Sequence, residues 1–263
     1  MSSDLRALLL LSALSLASCR GWVLEDRTGC PRLLYFDIEN AGSFEAGTQV
    51  QVHAQLDGKP LREAATTVLD IQNRSFGVEV KSSQPVEGYA VIGGEMMEQR
   101  EGGWTLPTGN PYPPLFRFSY LARVPEEYGV LPVALSKEYA GVRLQFVGEL
   151  SPFAVTIKAN TCGIRPHTGV PIPGAFECSP MADEDGFYRF NLPRLSDDRL
   201  TLEMKGRSGL PETLDLYRIL QQEGGITWKE PSLPDIGLVI DSIEHAIDVK
   251  VLPWEWLDLS YEY

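Results

Sequence analysis

Short stretches in which apolar and polar residues alternate recur along most of the chain, and they predict a protein built from β-strands. Gly and Pro interrupt the pattern at intervals of roughly 8 to 15 residues, a spacing typical of β-sandwiches. A rigid loop is expected at residues 106–114, where four prolines remove backbone donors. Strands are predicted at residues 33–38, 48–54, 66–71, 75–80, 89–92, 115–120, 142–147, 153–159, 175–179, 187–192, 200–205, 238–241 and 247–263.

The strand pattern pauses at residues 124–129, so two sandwich-sized units are predicted, at residues 33–130 and 131–263. The second unit contains the best predicted helix, at residues 211–220. Proline stands early in that segment, acidic residues lie in its first turn, and Gly224-Gly225 follows its end. The predicted fold class is therefore all-β (mainly β), with two β-sandwich domains in tandem and one short helix in the second.

The N-terminus carries an apolar run at residues 8–16, which is too short to span a bilayer and has the length of a signal-peptide core. It ends in Leu16-Ala17-Ser18-Cys19, which resembles the lipobox of bacterial lipoproteins, where the cysteine is acylated and becomes the first residue. We predict a signal peptide at residues 1–18, acylation of Cys19 (palmitate) and a lipidated tether at residues 19–32. The alternative is an ordinary secretory signal that happens to contain a cysteine.

The charge balance argues against nucleic acid as a partner. The chain of 263 residues carries 36 acidic and 23 basic side chains, for a net charge of -13, whereas binding to a phosphate backbone needs clustered Lys and Arg. No apolar run beyond the signal peptide reaches the ~18 residues that a transmembrane helix needs.

Catalytic and metal sites are not expected either. His53, His167 and His245 have none of the spacings to Cys, Ser or carboxylates that known catalytic sites use. The segment Asp183-Glu184-Asp185-Gly186 lacks the ordered ligands of an EF-hand loop, so it is interpreted as an acidic turn. We predict that the protein is not an enzyme and needs no cofactor or metal.

Cys162 and Cys178 are the candidate disulfide. They lie on successive strand-like segments with roughly 15 residues between them, and a bridge would stabilise the fold by about 3 kcal/mol on the loop-entropy model. Two buried, reduced thiols are an equally good interpretation. Cys30 has no evident partner.

The end of the chain alternates with period two. Its odd positions from Ile247 onward are mostly apolar, and Pro253 removes one ladder donor between two halves. We predict that residues 247–251 join the chain's own sheet, and that the last residues act as a donor strand for a neighbouring subunit. The donor side chains are Leu257, Leu259, Tyr261 and Tyr263. The alternative is a single closing strand within the chain's own domain.

Several segments occur in the order found in a known family. The first pair is Glu25-Asp26-Arg27-Thr28-Gly29-Cys30-Pro31, directly after the lipobox, and Leu34-Tyr35-Phe36-Asp37. The others are Ser136-Lys137-Glu138-Tyr139-Ala140, residues 153–163, Asn191-Leu192-Pro193-Arg194, Leu214-Asp215-Leu216 and residues 247–254. This ordered set resembles the FimB/Mfa2 family of fimbrial anchor lipoproteins of Bacteroidales. The resemblance implies two transthyretin-like β-sandwich domains, a lipid-anchored N-terminus and membership of a pilus polymerised by strand exchange.

The function that the resemblance implies is structural. The chain would be a lipid-anchored subunit, the base anchor, of a strand-exchange (type V-like) fimbrium, tethering the pilus to the outer membrane at the cell surface and limiting its length. Its partners would be stalk or other pilus subunits, bound by β-strand complementation. Polymerising subunits of this pilus type lose their first strand by cleavage after an arginine, whereas an anchor keeps that strand. Arg27 and Arg32 are the arginines nearest to it.

Two further features leave alternatives open. Ser242 in Asp241-Ser242-Ile243 matches the O-glycosylation pattern of exported Bacteroidetes proteins. The tryptophans allow a second function, a surface glycan-binding β-sandwich lipoprotein in which aromatic rings stack on sugars, although buried sandwich aromatics are the commoner explanation. These tryptophans are Trp104, Trp228, Trp254 and Trp256.

Overall fold

The computed structural model describes residues 31–39, 43–57, 59–80, 85–100, 102–124, 128–148, 154–205, 211–243 and 246–253. The strands in these ranges are β1 (Arg32–Ile38), β2 (Gln49–Leu56), β3 (Lys59–Thr67), β4 (Val78–Val80), β5 (Val86–Gly93), β6 (Glu98–Arg100), β7 (Gly103–Thr105), β8 (Leu115–Ala122), β9 (Tyr128–Val133), β10 (Ser136–Lys137), β11 (Tyr139–Gly148), β12 (Ala154–Ala159), β13 (Gly163–Arg165), β14 (Val170–Ile172), β15 (Phe176–Cys178), β16 (Tyr188–Pro193), β17 (Leu200–Lys205), β18 (Pro211–Asp215), β19 (Ile236–Ile243) and β20 (Ala246–Pro253). Two short helices, α1 (Val68–Gln72) and α2 (Leu216–Gln222), lie among them. The predicted all-β fold is confirmed.

The N-terminal sandwich packs a three-stranded sheet, in the order β4-β1-β9, against a five-stranded sheet, in the order β10-β8-β5-β2-β3. The first strand, β1, is the central strand of the smaller sheet, antiparallel to β4 and parallel to β9. Alternate side chains point inward, as the period-two pattern requires, and Leu34, Phe36 and Ile38 of β1 enter the shared core.

The C-terminal sandwich consists of two four-stranded sheets, in the orders β16-β11-β19-β20 and β15-β12-β17-β18. The central strands β11 and β19 run parallel, while β20 pairs antiparallel with β19. The inner faces of both sheets share one core, and helix α2 closes part of it with Leu216 and Leu220.

A third, small sheet joins the two halves of the chain. Its order is β14-β13-β7-β6, so one hairpin comes from the first half and one from the second. Ile164 of β13 pairs with Trp104 of β7. Trp104, Leu106, Tyr112 and Leu115 belong to the core of the C-terminal sandwich although they precede it in sequence. The proline-rich loop at residues 106–114 contains no strand, as predicted.

The predicted boundary between residues 130 and 131 is too early. It cuts strand β9, which pairs with β1 along its length and belongs to the N-terminal sandwich. Strand β10 also pairs with β8 of that sandwich, and the C-terminal sheets begin only with β11 at Tyr139. The pause at residues 124–129 marks the place where the chain leaves β8 of the five-stranded sheet and enters β9 of the three-stranded sheet.

Both helices differ from the sequence-based prediction. Residues 66–71 were expected to be one strand, but β3 ends at Thr67, whose hydroxyl accepts a hydrogen bond from the Asp70 amide at 3.1 Å and caps α1. The predicted helix at residues 211–220 begins five residues later than expected. Its first part is strand β18, which pairs with β17, and Asp215 is the N-cap, accepting a hydrogen bond from the Arg218 amide at 3.0 Å. Pairing with a sheet thus overrides the local helix signals in this segment.

Candidate functional site

Strand β1, the first strand of the described residues, is held firmly inside the N-terminal sandwich. Phe36 of β1 packs against the rings of Phe118 and Tyr120, with centroid distances of 5.3 and 4.9 Å. At the start of the strand, the Arg32 guanidinium donates a hydrogen bond to the Val124 carbonyl at 2.6 Å. Removing β1 would therefore open a deep apolar groove between β4 and β9.

The last described strand lies at the edge of a sheet. Strand β20 pairs with β19 from Ala246↔Ile243 to Pro253↔Ile236. The prediction that residues 247–251 join the chain's own sheet is confirmed. The predicted donor side chains Leu257, Leu259, Tyr261 and Tyr263 lie outside the described residues, as do the signal peptide, Cys19 and most of the tether.

A buried ionic cluster joins the two sandwiches. The Glu138 carboxylate is fully buried, lies 2.7 Å from the Arg117 Nε atom and accepts a hydrogen bond from the Arg194 Nε atom. Arg117 belongs to β8, and Arg194 follows β16, so the cluster links both halves of the chain through the segment between them. The Arg194 guanidinium also donates to the carbonyls of Trp228 and Glu230, each at 2.7 Å. Because a buried charge is costly without partners, these contacts fix the junction.

The neighbouring residues extend this junction. The Lys137 ammonium pairs with Asp235 and lies 4.6 Å from the centre of the Tyr139 ring, while Asp235 also accepts a hydrogen bond from the Gly141 amide at 2.9 Å. Burial, with the nearby Glu138 carboxylate, raises the pKa of Tyr112 far above its usual value, so its hydroxyl stays neutral. Sequence analysis missed the junction's ionic cluster, although two segments that carry the family resemblance, residues 136–140 and 191–194, meet here.

An open cleft of about 540 Å³ lies between the outer face of the five-stranded sheet and the two joining hairpins. Its described lining includes Tyr89, Trp104, Arg100, Arg165 and His167, and it contains no carboxylate. Two of the described acidic residues lie just outside it. Glu98 accepts hydrogen bonds from the Arg100 guanidinium, and Glu63 accepts one from the side-chain amide of Gln99.

The floor of the cleft continues into a row of side chains across the sheet. The rings of Tyr89 and His53 stack with centroids 4.4 Å apart, and the His53 Nδ1 atom lies 3.6 Å from the Glu63 carboxylate. Burial lowers the pKa of His53, although Glu63 opposes this shift. Burial and Glu63 both raise the pKa of Tyr89. The prediction that His53 is a strand residue is confirmed.

The wall of the cleft is a turn of the C-terminal half that is tied to β8. The Ser119 hydroxyl donates a hydrogen bond to the His167 carbonyl at 2.6 Å, and the imidazole of His167 is exposed. Gly169 ends this turn with a φ of +73°, and a Cβ atom there would collide with the Arg117 guanidinium. Only glycine fits this position without displacing Arg117 from the junction.

The two candidate disulfide cysteines are free thiols in the structure. Cys178 lies opposite Ile157 in the β12–β15 pair, while the Cys162 amide donates to the Ile172 carbonyl next to the β13–β14 pair of the small joining sheet. The bridged alternative is therefore not what the structure contains.

Other predicted positions are structural or lie outside the described side chains. The Asp183 carboxylate accepts hydrogen bonds from the Asp185 and Phe187 amides and from Arg189, which lower its pKa, so the acidic turn is confirmed. Among the described residues, no group of three side chains is arranged to hold a metal ion. Trp104 and Trp228 are buried, while Trp254 and Trp256 lie outside the described residues. The backbone of Ser242 lies on β19, but its side chain is not among those described.

Comparison with known proteins was made by sequence and by fold. No protein-family model and no curated protein matches the sequence. The fold resembles the fimbrial anchor protein Mfa2 from Porphyromonas gingivalis, with a TM-score of 0.62 and 13% identity over 86% of this chain and 98% of that one. It also resembles a Bacteroides thetaiotaomicron protein proposed to bind polysaccharides, with a TM-score of 0.62 and 12% identity over 86% of this chain and 99% of that one.

A fimbrial assembly protein from Parabacteroides distasonis has the same fold, with a TM-score of 0.50 and 11% identity over 86% of this chain and 96% of that one. Within the described ranges, neither helix is long and apolar enough to cross a membrane. The chain thus shares the β-sandwich fold of these proteins, as its sequence resemblance implies.

Proposed function

We propose that the protein is a lipid-anchored structural subunit of a fimbrium, and that it works as the base anchor. Acylated Cys19 would hold it in the outer membrane at the cell surface, and residues 257–263 would complete the sheet of a stalk subunit. It would tether the pilus, limit its length and perform no chemistry. The proposal is supported by the shared fold and by the ordered sequence segments, and it depends most on the first strand.

The observation that carries the anchor role is that β1 has no cleavage site that would release it. In polymerising subunits of this kind, loss of the first strand after an arginine opens a groove for the neighbour's strand. Here the connection between β1 and β2, residues 39–48, contains neither Arg nor Lys. Cleavage after Arg27 or Arg32 would leave residues 33–38 attached and packed. A subunit whose groove stays filled can give a strand but cannot accept one, as the base of a pilus requires.

The donor segment can be tested through its register. Inserting one Ser after Glu255 shifts the following residues by one position, so that Asp258, Ser260 and Glu262 would face the pockets meant for apolar side chains. We expect this variant to lose cell-bound pili and to release them into the medium. A matched control inserts Ser after Pro180, next to Met181, whose side chain is 88% exposed.

The outcomes separate the two interpretations of the chain end. Normal cell-bound pili in the Glu255 variant would disprove strand donation. A variant that unfolds, by circular dichroism of the purified protein, would instead assign residues 257–263 to the chain's own sandwich. The control insertion should leave both the pili and the fold intact.

A second candidate function is saccharide binding, and the cleft is the observation that favours it. Arg100, Arg165 and Tyr89 line it together, which is unusual in a chain with a net charge of -13. Guanidinium groups bind carboxylates and an aromatic ring packs against the apolar face of a sugar, so an acidic saccharide is the ligand that suits the lining. An affinity gel carrying an acidic polysaccharide tests this function independently of pilus assembly.

A further inference from the structure

Exposed apolar side chains gather at one end of the N-terminal sandwich. The exposed fractions are 70% for Leu121, 60% for Tyr128 and 37% for Leu33. Val130, on the same strand as Tyr128, is also exposed at 37%. Leu33, Tyr128 and Val130 share the outer face of the three-stranded sheet, whereas Leu121 lies on the outer face of the five-stranded sheet, so exposed apolar side chains flank this end from both sides. Single exposed apolar residues are ordinary on a protein surface, but several at the same end of a domain indicate an interaction site. We call the end of the sandwich that carries Leu33, Leu121 and Tyr128 the outer pole.

The strand order explains why these residues lie at the same end of the sandwich. Strand β8 ends near Leu121, whereas β1 and β9 both begin at this end, with Leu33 opposite Tyr128. The other end of β8 pairs with Ser136 and Lys137, where the chain passes into the C-terminal sandwich. The neighbours of these residues in sequence, such as Ala122, point into the core, so the strand alternation turns the apolar side chains outward.

The chain also enters the fold at the outer pole, because Arg32 is the first residue of β1. About a dozen residues separate it from Cys19, a length that spans at most roughly 45 Å when fully extended. A flexible chain of that length has a typical end-to-end distance of only about 20 Å. If Cys19 carries lipid, the outer pole is the part of the folded protein that lies closest to the membrane.

We propose that the outer pole contacts the lipid surface, with Leu33, Leu121 and Tyr128 placed among the headgroups. The proposal rests on the acylation of Cys19 in the proposed function. Tyrosine suits this position because its ring is apolar and its hydroxyl stays hydrated, and interfacial tyrosines are common in membrane proteins. The acidic chain as a whole would be repelled by an anionic membrane, so the apolar side chains must supply the attraction. The contact should consequently resist high salt.

The contact would orient the protein as well as hold it. The two sandwiches are joined rigidly at Glu138, so seating one end of the first on the membrane directs the second away from it. Strand β20, which precedes the proposed donor segment, belongs to that second sandwich. A pilus bound there would leave the surface in a defined direction.

The test places an environment-sensitive NBD fluorophore at the outer pole of the acylated full-length mature protein. Cys30 and Cys162 are first replaced by Ser, and the fluorophore is then attached in Leu121→Cys and, separately, in Tyr128→Cys. Met181→Cys is the matched control, because Met181 is 88% exposed and lies on the C-terminal sandwich. Each protein is mixed with vesicles of phosphatidylethanolamine and a minor share of phosphatidylglycerol, and its flotation and emission are measured.

We expect all three proteins to float with the vesicles. The emission at positions 121 and 128 should shift to the blue and be quenched by brominated acyl chains, at low and at high salt, while position 181 stays unchanged. If the proteins float but the emission of all three probes stays unshifted, the lipid contact is refuted while the lipid anchor is supported. Absence of flotation refutes the lipid anchor, and the contact with it. A concentration-dependent blue shift at position 121 without vesicles assigns the outer pole to a second copy of the protein, which also overturns the proposal.

Discussion

Replacing Arg194 by Met should strongly destabilise the protein, because it removes a charge from the buried junction. Met keeps most of the apolar length of the side chain, so the change acts mainly on the ion pair. Arg117 would remain as the ionic partner of Glu138. The carbonyls of Trp228 and Glu230 would lose their donor at the same time.

The expected cost follows from the burial of Glu138. Removing one partner of a buried ion pair costs about 3 to 5 kcal/mol of unfolding free energy when the other charge is left uncompensated. Because Arg117 remains beside Glu138, we expect a cost at the lower end of that range. Exposed ion pairs contribute only about 0 to 1 kcal/mol. The pair between Lys158 and Glu203 provides that comparison within the same protein, because the side chains are 42% and 30% exposed. Lys158→Met should therefore have little effect.

The assay is urea unfolding of the full-length protein, followed by tryptophan fluorescence. Trp228 is buried beside Arg194 and reports on the junction directly. The double variant Glu138→Gln, Arg194→Met should be less unstable than the sum of the single variants, by more than about 1 kcal/mol, because it no longer leaves a carboxylate buried with an incomplete set of partners. An Arg194→Met cost close to that of Lys158→Met, or additive single costs, would refute the reasoning.

Three other predictions concern the anchor, the cysteines and the cleft. Cys19→Ala should move the protein from the membrane pellet to the soluble fraction, because acyl chains on Cys19 would supply most of the membrane affinity; unchanged partition contradicts lipidation. At about pH 8, a thiol reagent should modify Cys162 in the folded protein and spare Cys178, because burial raises the pKa of the Cys178 thiol to about 12. Mass spectrometry that finds these two cysteines bridged would contradict the free thiols of the structure. Arg165→Ala should weaken binding to an acidic polysaccharide by about tenfold, the effect of one charge-assisted hydrogen bond. The control Arg123→Ala, at an exposed position just after β8, should not weaken it. Equal losses of affinity in both variants would exclude the cleft as the binding site.

The sequence predicts most of the strands because one face of each strand is buried and the alternation is therefore visible. It does so for β1, where Leu34, Phe36 and Ile38 alternate with exposed or half-buried neighbours. It fails for α1, because Thr67, Val68 and Ile71 are β-branched and favour a strand, although the three-residue spacing of the buried pair Val68 and Ile71 is that of one helix face. The hydroxyl of Thr67, three residues before Asp70, is the capping signal that separates the two interpretations.

The ionic cluster at the junction could not be predicted from local sequence patterns. Glu138 and Arg194 are 56 residues apart in sequence, and each, taken alone, has the appearance of an ordinary surface charge. Local patterns do not predict the parallel pairing either. Nothing in the sequence near β1 indicates that its partner is β9, because most of the N-terminal sandwich lies between these two strands in sequence. The segments that carry the family resemblance contain both Glu138 and Arg194, but only the structure shows that these two side chains are in contact.

The core that both halves share has a consequence for how the protein is made. Trp104, Leu106 and Tyr112 complete the interior of the C-terminal sandwich, although they are synthesised well before its strands. Until strands β11 to β20 are made, these apolar side chains lack the core that covers them in the folded protein, and a chaperone could bind them. The C-terminal half, in turn, cannot finish folding without the earlier hairpin. Maturation is thus a single event that waits for almost the whole chain, and a truncated product would remain unfinished and open to proteolysis rather than yield a working half.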